Sequence, residues 1–203
     1  LATLMAGEYW LIYQFTGATL GDRPYEIGRL MLLTFNILPL VLMYVLVARL
    51  VERLGVTDWG RIFVMTVATL ATFLNTFAIV LNNHIIAAVS AAIVLDAITR
   101  IFCDGERRWR WFAVAGFAAA FTAANELPAA AFLALVGLML IRRVPRQTIL
   151  AFAPAALLVA AAFFATNWIA HQSLRPPYMH RSSETNPDDN WYDYSYMVNG
   201  KLK

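Results

Sequence analysis

The chain has 203 residues, 60% of them hydrophobic and 14% charged, whereas an ordinary soluble domain is roughly 45–50% apolar and about 25% charged. That balance argues against a water-soluble globule and for helices that face lipid. The formal net charge of +3 comes from arginines placed between apolar runs, as membrane topology places them, so it marks no nucleic-acid site.

Charge is also unevenly spread. Eight of the 29 charged residues fall in the last 33 positions, which leaves an apolar block over 1–170 followed by a polar segment over 171–203. The single cysteine, Cys103, has no intrachain partner for a disulfide and says little about redox compartment. The chain opens inside an apolar stretch without an initiator methionine, and so reads as an internal piece of a longer protein. In Leu1 to Thr16, Thr3, Gly7, Trp10 and Gln14 share one helical face and Leu4, Leu11 and Phe15 another. This fits a helix lying along the interface, or equally the end of a truncated span.

A hydrocarbon core of about 30 Å takes about 20 apolar residues per helix. Six runs qualify in chain order. Residues 28–50 carry Arg29 and Arg49 at the ends and Pro39 inside, and 62–81 has no charge. Residues 85–103 contain Asp96 and Arg100; 111–124 and 127–141 are separated by Asn125 and Glu126 and form a tight hairpin; 148–170 contains Pro154. The two prolines each remove a backbone hydrogen bond and are expected to kink their helices. Small residues such as Ala115, Gly116 and Ala118 to Ala120 allow close helix packing. The expected fold is an all-α polytopic bundle of six membrane helices with an N-terminal interfacial helix.

Ten of the sixteen basic residues sit in alternate connections: Arg49, Arg53 and Arg61; Arg100, Arg107, Arg108 and Arg110; Arg142, Arg143 and Arg146. Basic residues in short loops accumulate on the cytoplasmic side. The intervening turns, Asn82-Asn83-His84 and Asn125-Glu126, have no Lys or Arg and therefore face outward, as do 17–27 and the segment from His171. Trp10, Trp168 and Trp191 fall where an outer aromatic belt would lie. The expected location is the inner membrane, spanned several times.

The outward turns also hold the better chemistry. Asn82, Asn83, His84, Asn125 and Glu126 offer donors, acceptors and a titratable ring for a polar substrate, although the same residues serve equally as turn formers facing water. Asp96 has Arg100 one turn on, so an i,i+4 ion pair explains it better than an ion or proton site. Trp191, Tyr192, Tyr194 and Tyr196 stand among carboxylates in the last segment, which suits either sugar stacking or an outer loop. No metal-ligand spacing is apparent.

The stretches Leu1–Tyr13 (LATLMAGEYWLIY), Gly28–Leu30 (GRL), Tyr44–Val51 (YVLVARLV) and Trp109–Glu126 (WRWFAVAGFAAAFTAANE) together resemble the polytopic C-type glycosyltransferases, in the aminoarabinose-transferase and protein-mannosyltransferase-like branch. The resemblance spans about residues 1–145. It implies transfer of a sugar from a polyprenyl-phosphate donor to a lipid, glycan or protein acceptor at the outer membrane face. A carboxylate deprotonates the acceptor there, and cationic groups or a divalent metal hold the departing phosphate. The family's main carboxylate lies in an outer loop ahead of the segment matched by Leu1, so the fragment alone is expected to be inactive. The sequence departs from the family at Asn82-Asn83-His84, where many relatives carry an acid, and at Glu126, where many carry Lys. The alternative is a transporter or non-enzymatic membrane protein with Asp96 as a coupling carboxylate, which would show an inverted repeat and broken midplane helices.

Overall fold

The computed structural model describes residues 1–176, 197–198 and 201–202. Helix α1, Ala2–Thr16, has no buried residue and stops at Gly17. There a φ of +68° lets the glycine N–H close on Tyr13 O at 2.8 Å, a left-handed cap that costs glycine little. Helix α2 runs Pro24–Leu54 and opens on proline, where a missing N–H breaks no intrahelical bond.

Neither proline inside a long helix ends it. In α2 a π-helical turn, Leu33–Ile37, comes two residues before Pro39. In α8, Pro145–His171, the π-helical turn Thr148–Phe152 comes two residues before Pro154. A proline ring crowds the carbonyl four residues back, and widening the preceding turn relieves that contact while the helix continues. The expected kinks thus take the form of widened turns.

The apolar run 62–81 differs most from expectation. Helix α3, Asp58–Leu70, starts four residues early because Thr57 Oγ1 accepts from Gly60 N at 3.1 Å, and Asp58 suits the positive end of the helix dipole. The helix then breaks, and a short α4, Leu74–Ala78, follows. Around the break, Thr69 and Thr72 hydroxyls donate back to Met65 O and Ala68 O at 2.7 and 3.0 Å, and Asn75 Nδ2 reaches Thr69 O at 2.5 Å. Side chains that bond the local backbone in this way compete with helix continuation.

Helices α5, His84–Phe102, α6, Trp109–Asn125, and α7, Ala130–Arg143, follow expectation within three residues. Among the described residues three helices, α2, α5 and α8, are long and apolar enough to cross a membrane; the protein is a helical membrane protein. The chain divides into two compact units, Leu1–Ala160 and Ala161–Lys203. In the second unit, Met197–Val198 and Lys201–Leu202 pair antiparallel, Met197 opposite Leu202. Trp191, Tyr192, Tyr194 and Tyr196 lie outside the described residues.

In the first unit α6 is central, packed on α5, α7 and the π-helical turn of α8. The core joins Val94, Ile101, Phe112, Ala119, Leu140 and Phe152. Phe152 enters because two glycines make room. An added Cβ at Gly116 would stand 2.2 Å from Phe152 O, and one at Gly137 would touch the Phe152 ring at 3.4 Å. Antiparallel packing gathers the arginine-bearing connections at one end, where Arg53 Nη2 meets Asp104 Oδ2 at 2.7 Å. It gathers the asparagine-bearing turns at the other.

Candidate functional site

The asparagine-bearing end is built from two turns, one after α4 and one after α6. The first must satisfy the carbonyls that the broken helix leaves open, because an unpaired buried carbonyl costs about 1–3 kcal/mol. Two amides do this. Asn82 Nδ2 donates to Phe77 O at 2.7 Å and Val80 O at 2.5 Å. Asn36, fully buried in the π-helical turn of α2, donates to the same carbonyls at 2.9 and 2.6 Å. Asn82 Oδ1 in turn accepts the His84 N–H at 2.9 Å and caps the start of α5.

The second turn is tied to the first across 42 residues of chain. Asn83 Nδ2 donates to Asn125 O at 2.5 Å and to Glu126 Oε1 at 3.0 Å. Asn125 Nδ2 bonds back to Phe121 O at 2.9 Å, and its Oδ1 accepts from the main-chain nitrogen of Leu1 at 3.3 Å. His84 Nδ1 contacts Glu126 Oε1 directly, and the imidazole packs on the Phe77 ring, centroids 4.7 Å apart.

The five residues singled out in the sequence therefore lie together, but with different duties. The amides of Asn82, Asn83 and Asn125 are committed to the scaffold. His84 and Glu126 keep Nε2 and Oε2 outside these bonds, and their side chains are 47% and 32% exposed. A charge-assisted pair of this kind orients the ring and leaves one nitrogen and one carboxylate oxygen for a ligand. Among the described residues no three His, Cys, Asp or Glu side chains gather to hold a metal. The pair supplies at most two ligand atoms, so a divalent cation there would take its remaining ligands from phosphate and water.

Between α5 and α6 a groove of ≈ 560 Å³ runs past Ile86, Ser90, Ile93, Val114, Phe117 and Phe121. Its walls are almost wholly apolar. No family profile, curated protein or solved structure matches this chain.

Two polar residues matter more than the sequence suggests. Asn36 is the lone amide in the run 28–50, and a search for charges passes over it. Glu8 of α1 accepts a hydrogen bond from Thr34 Oγ1 at 2.8 Å and ties α1 to α2, with Oε2 buried and unpartnered. At the opposite end the expected Asp96–Arg100 pair forms, Arg100 Nε donating to Asp96 Oδ2 at 2.7 Å. The guanidinium lies 4.4 Å from the centroid of the Trp111 ring, a cation–π contact.

Proposed function

We propose that this chain is the membrane-embedded part of a glycosyltransferase that moves a sugar from a polyprenyl-phosphate donor to a lipid, glycan or protein acceptor. In this reading the chain crosses the inner membrane six times, α3 and α4 together making one crossing, and the His84 end faces the extracytoplasmic side. The basic connections stay on the cytoplasmic side, following the arginine distribution. One observation carries the proposal: the bundle offers a polar pair with a free nitrogen and a free carboxylate oxygen at one end, and an apolar groove between α5 and α6 whose lining includes Ile86 and Phe121. That combination suits an amphiphile with a hydrogen-bonding headgroup and a hydrocarbon tail.

His84 Nε2, when protonated, donates to a phosphate or sugar oxygen, and Glu126 Oε2 accepts from a sugar hydroxyl. Both are positioning residues. The family resemblance gives deprotonation of the acceptor to a loop carboxylate that has no counterpart among these residues. Misplacing a reacting group by about 1 Å lowers rates about 100-fold. His84→Ala and Glu126→Gln are therefore expected to slow transfer about 10- to 100-fold in the full-length protein, with KM for the donor raised and membrane insertion preserved. Glu126→Asp should recover part of the rate. Transfer at the parental rate by both variants would overturn the proposal.

Asp96 takes no part in this chemistry. Asp96→Asn keeps an acceptor for Arg100 while losing the charge. It is expected to lower stability by about 1–2 kcal/mol and leave transfer per folded molecule unchanged; loss of transfer at full folded yield would contradict that assignment.

A transport reading draws on the break between α3 and α4, since transporters use discontinuous helices whose unwound carbonyls coordinate ions. Here Asn36 and Asn82 fill the Phe77 and Val80 carbonyls. The break offers an ion little, and the transferase reading is preferred.

A further inference from the structure

At the arginine-bearing end, between α2 and α5, lies a cleft of ≈ 600 Å³ whose walls carry Arg49, Arg53 and Arg100 and whose inner part is Val45 and Ala48. Two carboxylates, Asp96 and Glu52, also line it. Asp96 is held by Arg100 through 2.7 and 3.4 Å bonds, and Arg53 is matched by Asp104 at 2.7 Å. Glu52 is 72% exposed and makes a 3.9 Å contact with Arg61, which is outside the cleft lining. Arg61 is held more closely by Asp58, at 2.9 Å, so Glu52 is the cleft's loosely held carboxylate. Arg49 makes no ion pair or side-chain hydrogen bond among the described residues, which leaves its guanidinium donors open beside an apolar inner wall.

A guanidinium presents paired N–H donors that fit a phosphate, and it keeps its charge in partly desolvated surroundings. Basic pockets between membrane helices suit anionic lipid headgroups, whose acyl chains extend along the apolar surface. We infer that this cleft binds the phosphate of an anionic lipid, with Arg49 as its main donor and Arg53 and Arg100 as flanking charges. The Val45 and Ala48 wall favours a lipid over a free phosphate, because a soluble ion gains nothing from it. The inference is independent of the glycosyl-transfer proposal, which concerns the other end of the bundle.

The test is thermal unfolding of the detergent-purified protein with phosphatidylglycerol, phosphatidylcholine or glycerol 3-phosphate. Phosphatidylglycerol is expected to raise the midpoint by several degrees and phosphatidylcholine to leave it unchanged, as preferential binding to the folded state requires. Arg49→Gln should cut that rise to less than half. It should leave the lipid-free midpoint near the parental value, since no protein partner is lost. Arg49→Lys should retain part of the rise. An equal rise in Arg49→Gln, or with phosphatidylcholine, would overturn the site. A rise of the same size from glycerol 3-phosphate at matched concentration would show a free-phosphate site and overturn the lipid assignment.

Discussion

Gly116→Ala is expected to destabilise the bundle by about 1–3 kcal/mol, and Gly116→Val by more, through overpacking against backbone. A methyl at this position would sit 2.2 Å from Phe152 O, 2.8 Å from its carbonyl carbon and 2.9 Å from its Cα. No side-chain rotation relieves a clash with main chain. Relief requires moving α6 away from the π-helical turn of α8, which would open the core around Ala119 and Phe152. Two glycine controls separate this from a general effect of adding a methyl. At Gly137 the nearest atom is the edge of the Phe152 ring at 3.4 Å, and at Gly7 nothing lies within 4 Å. Gly137→Ala should cost little, and Gly7→Ala should be neutral or gain about 0.5–1 kcal/mol of helix propensity. Unfolding in graded denaturing detergent ranks the three, and a Gly116→Ala midpoint equal to that of Gly7→Ala would refute the close approach.

That approach was only half legible in the sequence. The run Ala115 to Ala120 announces a helix that packs closely, but which residue meets which neighbour depends on the α8 turn, and a widened turn shifts register in a way that composition does not encode. Helix ends were legible where polar residues bounded an apolar run close to the true ends, as at 85–103 against the observed His84–Phe102. The run 62–81 failed for a physical reason. Hydropathy averages over Thr69, Thr72 and Asn75, whereas their side-chain bonds to local carbonyls decide where the helix stops.

For the candidate site, alternation of basic and non-basic connections was enough to put Asn82, Asn83, His84, Asn125 and Glu126 at one end. It could not say which side chains retain a free atom. That follows from hydrogen-bond accounting in three dimensions, where Asn82 and Asn83 are consumed by carbonyls of the turns and the His84–Glu126 pair is not. Asn36 was missed because its partners, Phe77 O and Val80 O, lie more than 40 residues away. An isolated amide in an otherwise apolar run was the available signal, since a buried polar side chain needs a partner.

Asn36→Leu is expected to lower stability by about 1 kcal/mol, the net worth of hydrogen bonds whose acceptors keep a second donor. Leucine matches the amide in bulk and suits a helix, so neither a cavity nor poor propensity accounts for the loss. What disappears is donation to Phe77 O and Val80 O from a fully buried side chain. Asn82 remains as a donor to both carbonyls, which keeps the segment from unravelling outright. Asn36→Asp should be at least as damaging, because an ionised carboxylate has no hydrogen to donate and would face two carbonyl oxygens in an apolar interior. The effect reaches the other turn, because the Phe77 ring packs on His84 and the same segment carries Asn82 and Asn83. In the full-length protein Asn36→Leu is therefore expected to speed amide hydrogen exchange over residues 77–83 and to weaken the proposed sugar transfer, while α6 and α7 stay protected. Unchanged exchange over 77–83, together with a parental unfolding midpoint, would show that Asn82 alone holds the break and that Asn36 is dispensable.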